Sequence, residues 1–246
     1  MLCRTLKSLF GIWAVLIFSI GLIVSVILYL IIFAFTDDKK GAHIAHRYVS
    51  RSWARFILIM YGIRVKVKNA EYLDSSKVYV FIANHRSMLD IPAYAVSCNH
   101  TFRFLAKVEL MKIPLLGYVI RKLYISVDRK NKEARVKSME NMNRSIRDGI
   151  SVFICPEGTR NKTDDLLLTF HDGAFRLAIS AQVPLAVLTI INSRELLSPL
   201  RPLQLKPGTL ECIWAMPIET KGMKEDDIPL LKQKVIEIME GELKRS

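Results

Sequence analysis

The segment from Phe81 to Asp90, FIANHRSMLD, holds the residue pair with the clearest capacity for chemistry. Histidine changes charge near neutral pH, so it can take up and return a proton during a reaction. His85 follows an apolar run that reads as a buried strand, and Asp90 lies where the first turns of a helix are expected. A carboxylate at that spacing can fold back to accept the ring N–H. That fixes the tautomer, leaves the other nitrogen as a base and stabilises the imidazolium that forms. This is the His–Asp half of a triad. No serine stands in a G-x-S-x-G elbow, so the nucleophile is expected from outside, and a substrate hydroxyl fits that role. Taken alone, a His and an Asp at this spacing more often make a capping arrangement than a catalytic pair.

A second motif shifts that balance. CPEGTR, Cys155 to Arg160, directly follows the strand-like run SVFIC. Pro156 ends the strand, Gly158 permits a tight turn, and Arg160 offers a planar fork suited to phosphate. Between the two motifs, Lys107 closes the run RFLAK and Arg129 follows YISV. Lys107, Arg129 and Arg160 together would hold one phosphate. An isolated EGTR would otherwise read as a surface turn with a solvated Arg.

These groups need a scaffold, and the chain supplies alternating elements. IRVKVK (Ile63 to Lys68) alternates with period two, and VYVFIA (Val78 to Ala83) is continuously apolar. RFLAK, YISV, SVFIC, PLAVLTII and TLECIWAM read as further strands. Helical periodicity marks Asn131 to Asp148, Gly173 to Ala181 and Glu225 to Leu243. The expected fold is α/β, a mostly buried mixed sheet flanked by helices, with catalytic groups on loops at strand ends.

Ahead of it, Ser8 to Thr36 contains no charged side chain and is long enough to cross a bilayer with tilt. A spanning helix and a re-entrant hairpin both remain open. A second apolar patch, Trp53 to Ile63, suits an interfacial helix or an amphipathic core helix equally. The expected division is a membrane-anchoring helical module over 1–62 and an α/β domain over 63–246. Lys39, Lys40, Arg47, Arg51 and Arg55 follow the apolar segment, against Arg4 and Lys7 before it, which places the folded domain on the cytoplasmic face.

The formal net charge of +13 calls for an anionic partner. The basic stretch Arg121 to Arg147 lacks interleaved aromatics or a reading motif, so membrane headgroups account for the charge better than nucleic acid does. Cys3, Cys98, Cys155 and Cys212 form no CxxC pair, suggesting neither a zinc cage nor a disulfide framework. Cys155 is expected in the core. His43, His46 and His100 are expected at the surface or facing headgroups, Trp13 and Trp53 at the membrane interface, and Trp214 in strand packing.

The motifs resemble the ordered blocks of the glycerolipid acyltransferases. NHRSMLD is similar to their NHxxxxD block, VDR (Val127 to Arg129) to the second, PEGTR to the third, and VPLAV (Val183 to Val187) to the fourth. The likeness is greatest to the bacterial 1-acylglycerol-3-phosphate acyltransferases, which would sit at the inner membrane. The resemblance implies His85 as general base oriented by Asp90. It implies acceptor phosphate on Lys107, Arg129 and Arg160, with Glu157 and Gly158 shaping the acceptor site and Glu157 bonding the glycerol. The implied reaction passes a fatty acyl group from a thioester of coenzyme A or acyl carrier protein to lysophosphatidic acid, giving phosphatidic acid, with no metal or cofactor. Alternatives are another acceptor (glycerol-3-phosphate, another lysophospholipid or an amino-acid lipid) or a non-catalytic membrane lipid-binding protein. Two positions depart from the pattern. Ala186-Val187-Leu188 replaces a frequent proline, and Asp172 stands where many relatives carry a basic residue, which is tolerable if it points away from the phosphate.

Overall fold

The computed structural model of the chain describes residues 2–114, 116–127 and 132–245. Its centre is a seven-stranded sheet made of β1 (Ile63–Lys68), β2 (Val80–Ala83), β3 (Phe102–Lys107), β4 (Ile125–Val127), β5 (Ser151–Ile154), β6 (Leu185–Ile191) and β7 (Gly208–Trp214). The order across the sheet is β1-β7-β6-β2-β5-β3-β4. β6, β2, β5, β3 and β4 run parallel, while β7 is antiparallel to β6 and parallel to β1. Every strand expected from the sequence is present. β2, β5 and β6 are buried along their whole length, as continuously apolar runs require. β1 lies at an edge, and its exposed Arg64, Lys66 and Lys68 discourage pairing with another chain.

Helices cover both faces. On one, α3 (Arg51–Met60) and α4 (Asp90–Ser97) join the core of Ile57, Leu58, Tyr79, Phe81, Tyr94, Phe153 and Trp214. On the other, α6 (Lys132–Arg147), α7 (Gly173–Ala181) and α9 (Ile228–Lys244) bury Met142, Phe175, Leu177, Val235 and Met239 against Val80, Ile82 and Val152. α5 (Leu116–Leu123) lies near the β4 edge and was not evident in the sequence. The patch at Trp53 to Ile63 is α3, whose inward residues Ala54, Ile57 and Leu58 are core while Phe56 and Ile59 are exposed.

The N-terminal helix α1 (Leu2–Phe35) contains Leu9–Phe35, long and apolar enough to cross a membrane. It also packs on the body along its length. Gly11 lies against the Leu203 backbone, Ala14 accepts a hydrogen bond from Tyr61 Oη (2.9 Å), Gly21 faces Trp53, and Tyr29 meets Ser50 Oγ (2.9 Å). The outward stripe of Leu9, Ile12, Leu16, Ile20, Ile23, Ile27 and Ile31 is exposed, a far larger apolar surface than a water-facing protein normally presents. Between α1 and α3 come α2 (Asp38–Ile44), capped by Asp37, and a π-helical segment, Ala45–Ser50.

Several polar expectations change in the folded chain. His46 and His100 are buried, because the π-helical segment turns His46 inward onto Phe102 at 4.3 Å and His100 Nε2 bonds the Asp74 carbonyl at 2.9 Å. His43 is exposed and bonds Thr101 Oγ1. Trp53 lies edge-on to Phe18 of α1 with its indole nitrogen buried, and Trp13 stacks on Phe10 against the core, so both rings serve inter-element packing. Trp214 is in the core as expected, its Nε1 donating to Ser97 O. Cys98 and Cys212 are buried thiols that burial pushes up to about 12. Cys155 is half-buried at the end of β5, 3.5 Å from Tyr94 Oη.

Candidate active site

The carboxyl ends of parallel strands are where α/β sheets place their ligands, and the motifs collect there. In the β2–β5 register Ile82 stands opposite Ile154. Continuing that register past the strand ends sets His85 beside Glu157, although 72 residues separate them.

The His85 loop is held from several directions. Asn84 is fully buried and its amide makes a two-way clamp to β6, donating to Ile190 O (2.9 Å) and accepting from Ile190 N (2.8 Å). Its carbonyl accepts from Tyr94 Oη. The His85 N–H donates to Glu157 Oε1 (2.8 Å), and the His85 carbonyl accepts from Asn161 N (2.7 Å). One residue on each side of the Gly158 turn therefore binds the two ends of His85.

Asp90 begins α4 with its side chain fully buried. Its Oδ2 accepts three hydrogen bonds, from His85 Nδ1 at 2.9 Å and from the amides of Arg86 and Ser87, each at 2.7 Å. The carboxylate thus ties down the loop that carries the histidine and the ring itself. Because a carboxylate only accepts, Nδ1 carries a proton, and in the neutral ring the lone pair is on Nε2. The His85 side chain remains 16% exposed, so that nitrogen can meet a ligand. Ser87 Oγ continues the chain of contacts to Leu197 O (2.7 Å), on the loop after α8 (Ser193–Leu196).

Glu157 is buried with both oxygens used by backbone amides, His85 N and Leu168 N (2.9 Å). Burial pushes its carboxyl up, and the two amide bonds pull the other way. Gly158 turns the chain at φ +70°, a left-handed conformation that L side chains resist, and its amide donates to Cys155 O at 3.0 Å. Arg160, half-buried, is adjacent to Asn161 and hence one residue from the His85 carbonyl. Among the described residues it has no carboxylate within ion-pair distance.

The fold therefore brings together His85, Asp90, Glu157, Gly158 and Arg160. Lys107 ends β3 opposite Val127 on the same sheet edge, but its side chain lies outside the described part. Arg129 lies outside the described residues altogether. Asp172 bonds Lys232 of α9 at 2.6 Å, so its carboxylate is engaged away from Arg160. His171 is exposed, its amide donating to Pro156 O.

Sequence reasoning missed Asn161, Tyr94 and the Asn84 clamp. Asn161 is fully buried, accepting from Thr163 N and Oγ1 while donating to Asp165 O. Asn followed two residues later by Thr is the local signal of such a turn. Nothing local marks Tyr94.

The family profile described as Acyltransferase matches residues 64–191, just over half of the chain. A 1-acyl-sn-glycerol-3-phosphate acyltransferase alpha from Bos taurus is 28% identical over 198 residues, covering 80% of this chain and 68% of the relative. The 1-acyl-sn-glycerol-3-phosphate acyltransferase of Saccharomyces cerevisiae is 30% identical over 213 residues, covering 82% and 67%. In architecture the chain is similar to the crystal structure of the 1-acyl-sn-glycerophosphate (LPA) acyltransferase PlsC from Thermotoga maritima, with a TM-score of 0.76 at 22% identity over 99% of this chain and 96% of that one. Profile, relatives and fold agree with one another, and the chain belongs to the acyltransferase family.

Proposed function

We propose that the protein transfers a fatty acyl group from an acyl thioester to the free hydroxyl of 1-acylglycerol-3-phosphate, forming phosphatidic acid. The observation that carries this reading is the His85 ring, fixed through Nδ1 by Asp90 with Nε2 open to a ligand. His85 Nε2 takes the hydroxyl proton as the oxygen bonds the thioester carbonyl carbon. The tetrahedral intermediate then collapses, the C–S bond breaks, and the imidazolium returns its proton to the departing thiolate. A thioester is already activated, so this route asks for no metal and no cofactor. The donor is acyl-coenzyme A or acyl carrier protein.

Arg160 meets the acceptor phosphate, joined by Lys107, which ends β3, and by Arg129. An uncommitted guanidinium one residue from the His85 carbonyl supports that role, since a planar fork suits phosphate oxygens. Gly158 shapes the acceptor site by its turn, and Glu157 does so through the His85 loop. The apolar outer face of α1 supports a seat in the bilayer, where acceptor and product reside. Residues 1–62 form that seat, passing to the α/β domain at Gly62. The basic residues after α1 favour the cytoplasmic face, which protease accessibility in oriented vesicles would test.

The deciding experiment supplies the detergent-solubilised protein with an acyl thioester. Parallel reactions contain no acceptor, lysophosphatidic acid, glycerol-3-phosphate or a lysophospholipid with a capped phosphate. Thiol release that requires lysophosphatidic acid and yields phosphatidic acid in step is expected. Release without acceptor would mean a hydrolase, and silence with every acceptor and both carriers would mean a lipid-binding protein. His85→Ala is expected to remove nearly all turnover while the chain still folds. Arg160→Ala is expected to raise KM for the phosphorylated acceptor and spare that for the thioester.

A further inference from the structure

A second concavity lies away from His85, between β3, β4, α5 and α6. It encloses about 220 Å3 and is lined by Arg103, Arg121 and Arg144, together with Tyr124, Asn141 and Asp148. Arg103 precedes Lys107 by four residues, about 13 Å along an extended strand. It pairs with Val152 near the start of β5, whereas His85 stands beyond the opposite ends of the parallel strands. The two sites are therefore distinct.

The charges here are unbalanced. Among the described residues none of the three guanidiniums has a carboxylate within ion-pair distance. The bond from Arg121 Nη1 to Met111 O is long, at 3.4 Å. Arg103 is half-buried, and its Nε is buried without a partner. The anions facing Arg103 are Asp148 and Asp38, and Asp38 is already held by Lys122 at 2.6 Å. One free carboxylate thus stands against three guanidiniums. A buried donor such as Arg103 Nε is nearly always satisfied, and guanidinium forks match a tetrahedral oxyanion with several acceptors.

The surroundings point to where that anion comes from. Tyr124 lines the concavity and also packs in the cluster of Val26, Tyr29 and Phe33 from α1 with Val119 and Leu123 from α5. The cavity therefore adjoins the C-terminal half of the apolar helix. Lys39, just past the end of α1, reaches toward Gly149 beside Asp148. That neighbourhood favours a phosphate esterified to a lipid over a free one. We propose that this concavity is a second phosphate site, separate from the acceptor site, that holds the headgroup of an anionic phospholipid.

The test titrates the detergent-solubilised protein with dihexanoylphosphatidylglycerol, dihexanoylphosphatidylcholine and inorganic phosphate by calorimetry. It compares wild type, the double variant R121Q/R144Q and R160A. Arg121 and Arg144 are exposed, so the double variant should fold and keep its turnover in detergent. Saturable phosphatidylglycerol binding is expected, weakened about tenfold or more in R121Q/R144Q and retained in R160A. It should also fall with added salt and exceed phosphatidylcholine binding. Inorganic phosphate that binds as tightly and is lost in the same double variant would keep the phosphate site and overturn the lipid as its source. Binding that is absent, indifferent to R121Q/R144Q or abolished by R160A would overturn the proposal.

Discussion

At the scale of single residues, Asp90 and Glu157 divide the work of presenting His85. Asp90 Oδ2 takes three N–H groups from the loop and the ring, and Glu157 anchors the His85 amide to the neighbouring strand. Asp90→Asn keeps the size and can still offer one oxygen to the three N–H groups, but it loses the negative charge beside the ring and puts an amide N–H2 where Oδ1 is buried without a partner. Turnover is expected to fall by about 10³-fold or more, with a lower unfolding midpoint, because the imidazolium formed in the reaction loses its counter-charge. Activity within tenfold of wild type would remove Asp90 from the mechanism. Glu157→Gln leaves one of two amides facing an amide donor, a destabilisation of about 1–3 kcal/mol. If Glu157 acts by holding the loop, kcat falls more than acceptor KM rises. A change confined to acceptor KM would instead mean direct contact with the glycerol.

At the scale of elements, the π-helical segment and the α1 contact carry consequences of their own. Burial, then Arg51, His43 and His100, push His46 down to about 4, from an ordinary value near 6.5. The unfolded chain therefore binds a proton that the folded chain refuses between those values. Stability from this group is complete above about pH 6.5 and is lost as pH falls toward 4, amounting to about 3 kcal/mol. Thermal unfolding followed against pH should show that slope, and His46→Leu should flatten it. An unchanged slope would assign the acid sensitivity elsewhere. Gly11 makes a different point, because a Cβ there would collide with the Leu203 carbonyl. Gly11→Ala is expected to push the 197–204 loop outward, costing about 1–3 kcal/mol. Since Ser87 leans on Leu197, turnover should fall too. A variant equal to wild type in both midpoint and rate would show that the loop and the site are not coupled.

At the scale of the whole molecule, the apolar helix proposed as the membrane seat is also part of the core. Ala14 belongs to the same buried cluster as Ile57, Leu58, Tyr61 and Trp214, and Val26, Tyr29 and Phe33 close over α5. Removing residues 1–35 would expose those surfaces at once. The truncated chain is expected to aggregate or lose cooperative unfolding, as judged by size-exclusion chromatography and circular dichroism. A soluble, cooperatively folding and active truncation would show that α1 is only an appended anchor.

The sequence by itself determined where the strands lie, which histidine and carboxylate could pair and how apolar the leading helix is. Each of these is written in short-range patterns: period-two or continuous apolar runs, a His with a carboxylate five residues on, a long uncharged stretch. The eight-residue α5 escaped notice because so short a run, ending in Arg121 and Lys122, offers too few turns for a clear period. Tertiary structure decided the rest. The order β1-β7-β6-β2-β5-β3-β4 sets β2 against β5, and only that adjacency puts Glu157 and Asn161 on the two ends of His85. It also turned His46 and His100 inward and paired Asp172 with Lys232. Such contacts join residues dozens of positions apart, and a carboxylate's role depends on which donors the fold sets in front of it. No local pattern along the chain encodes that choice.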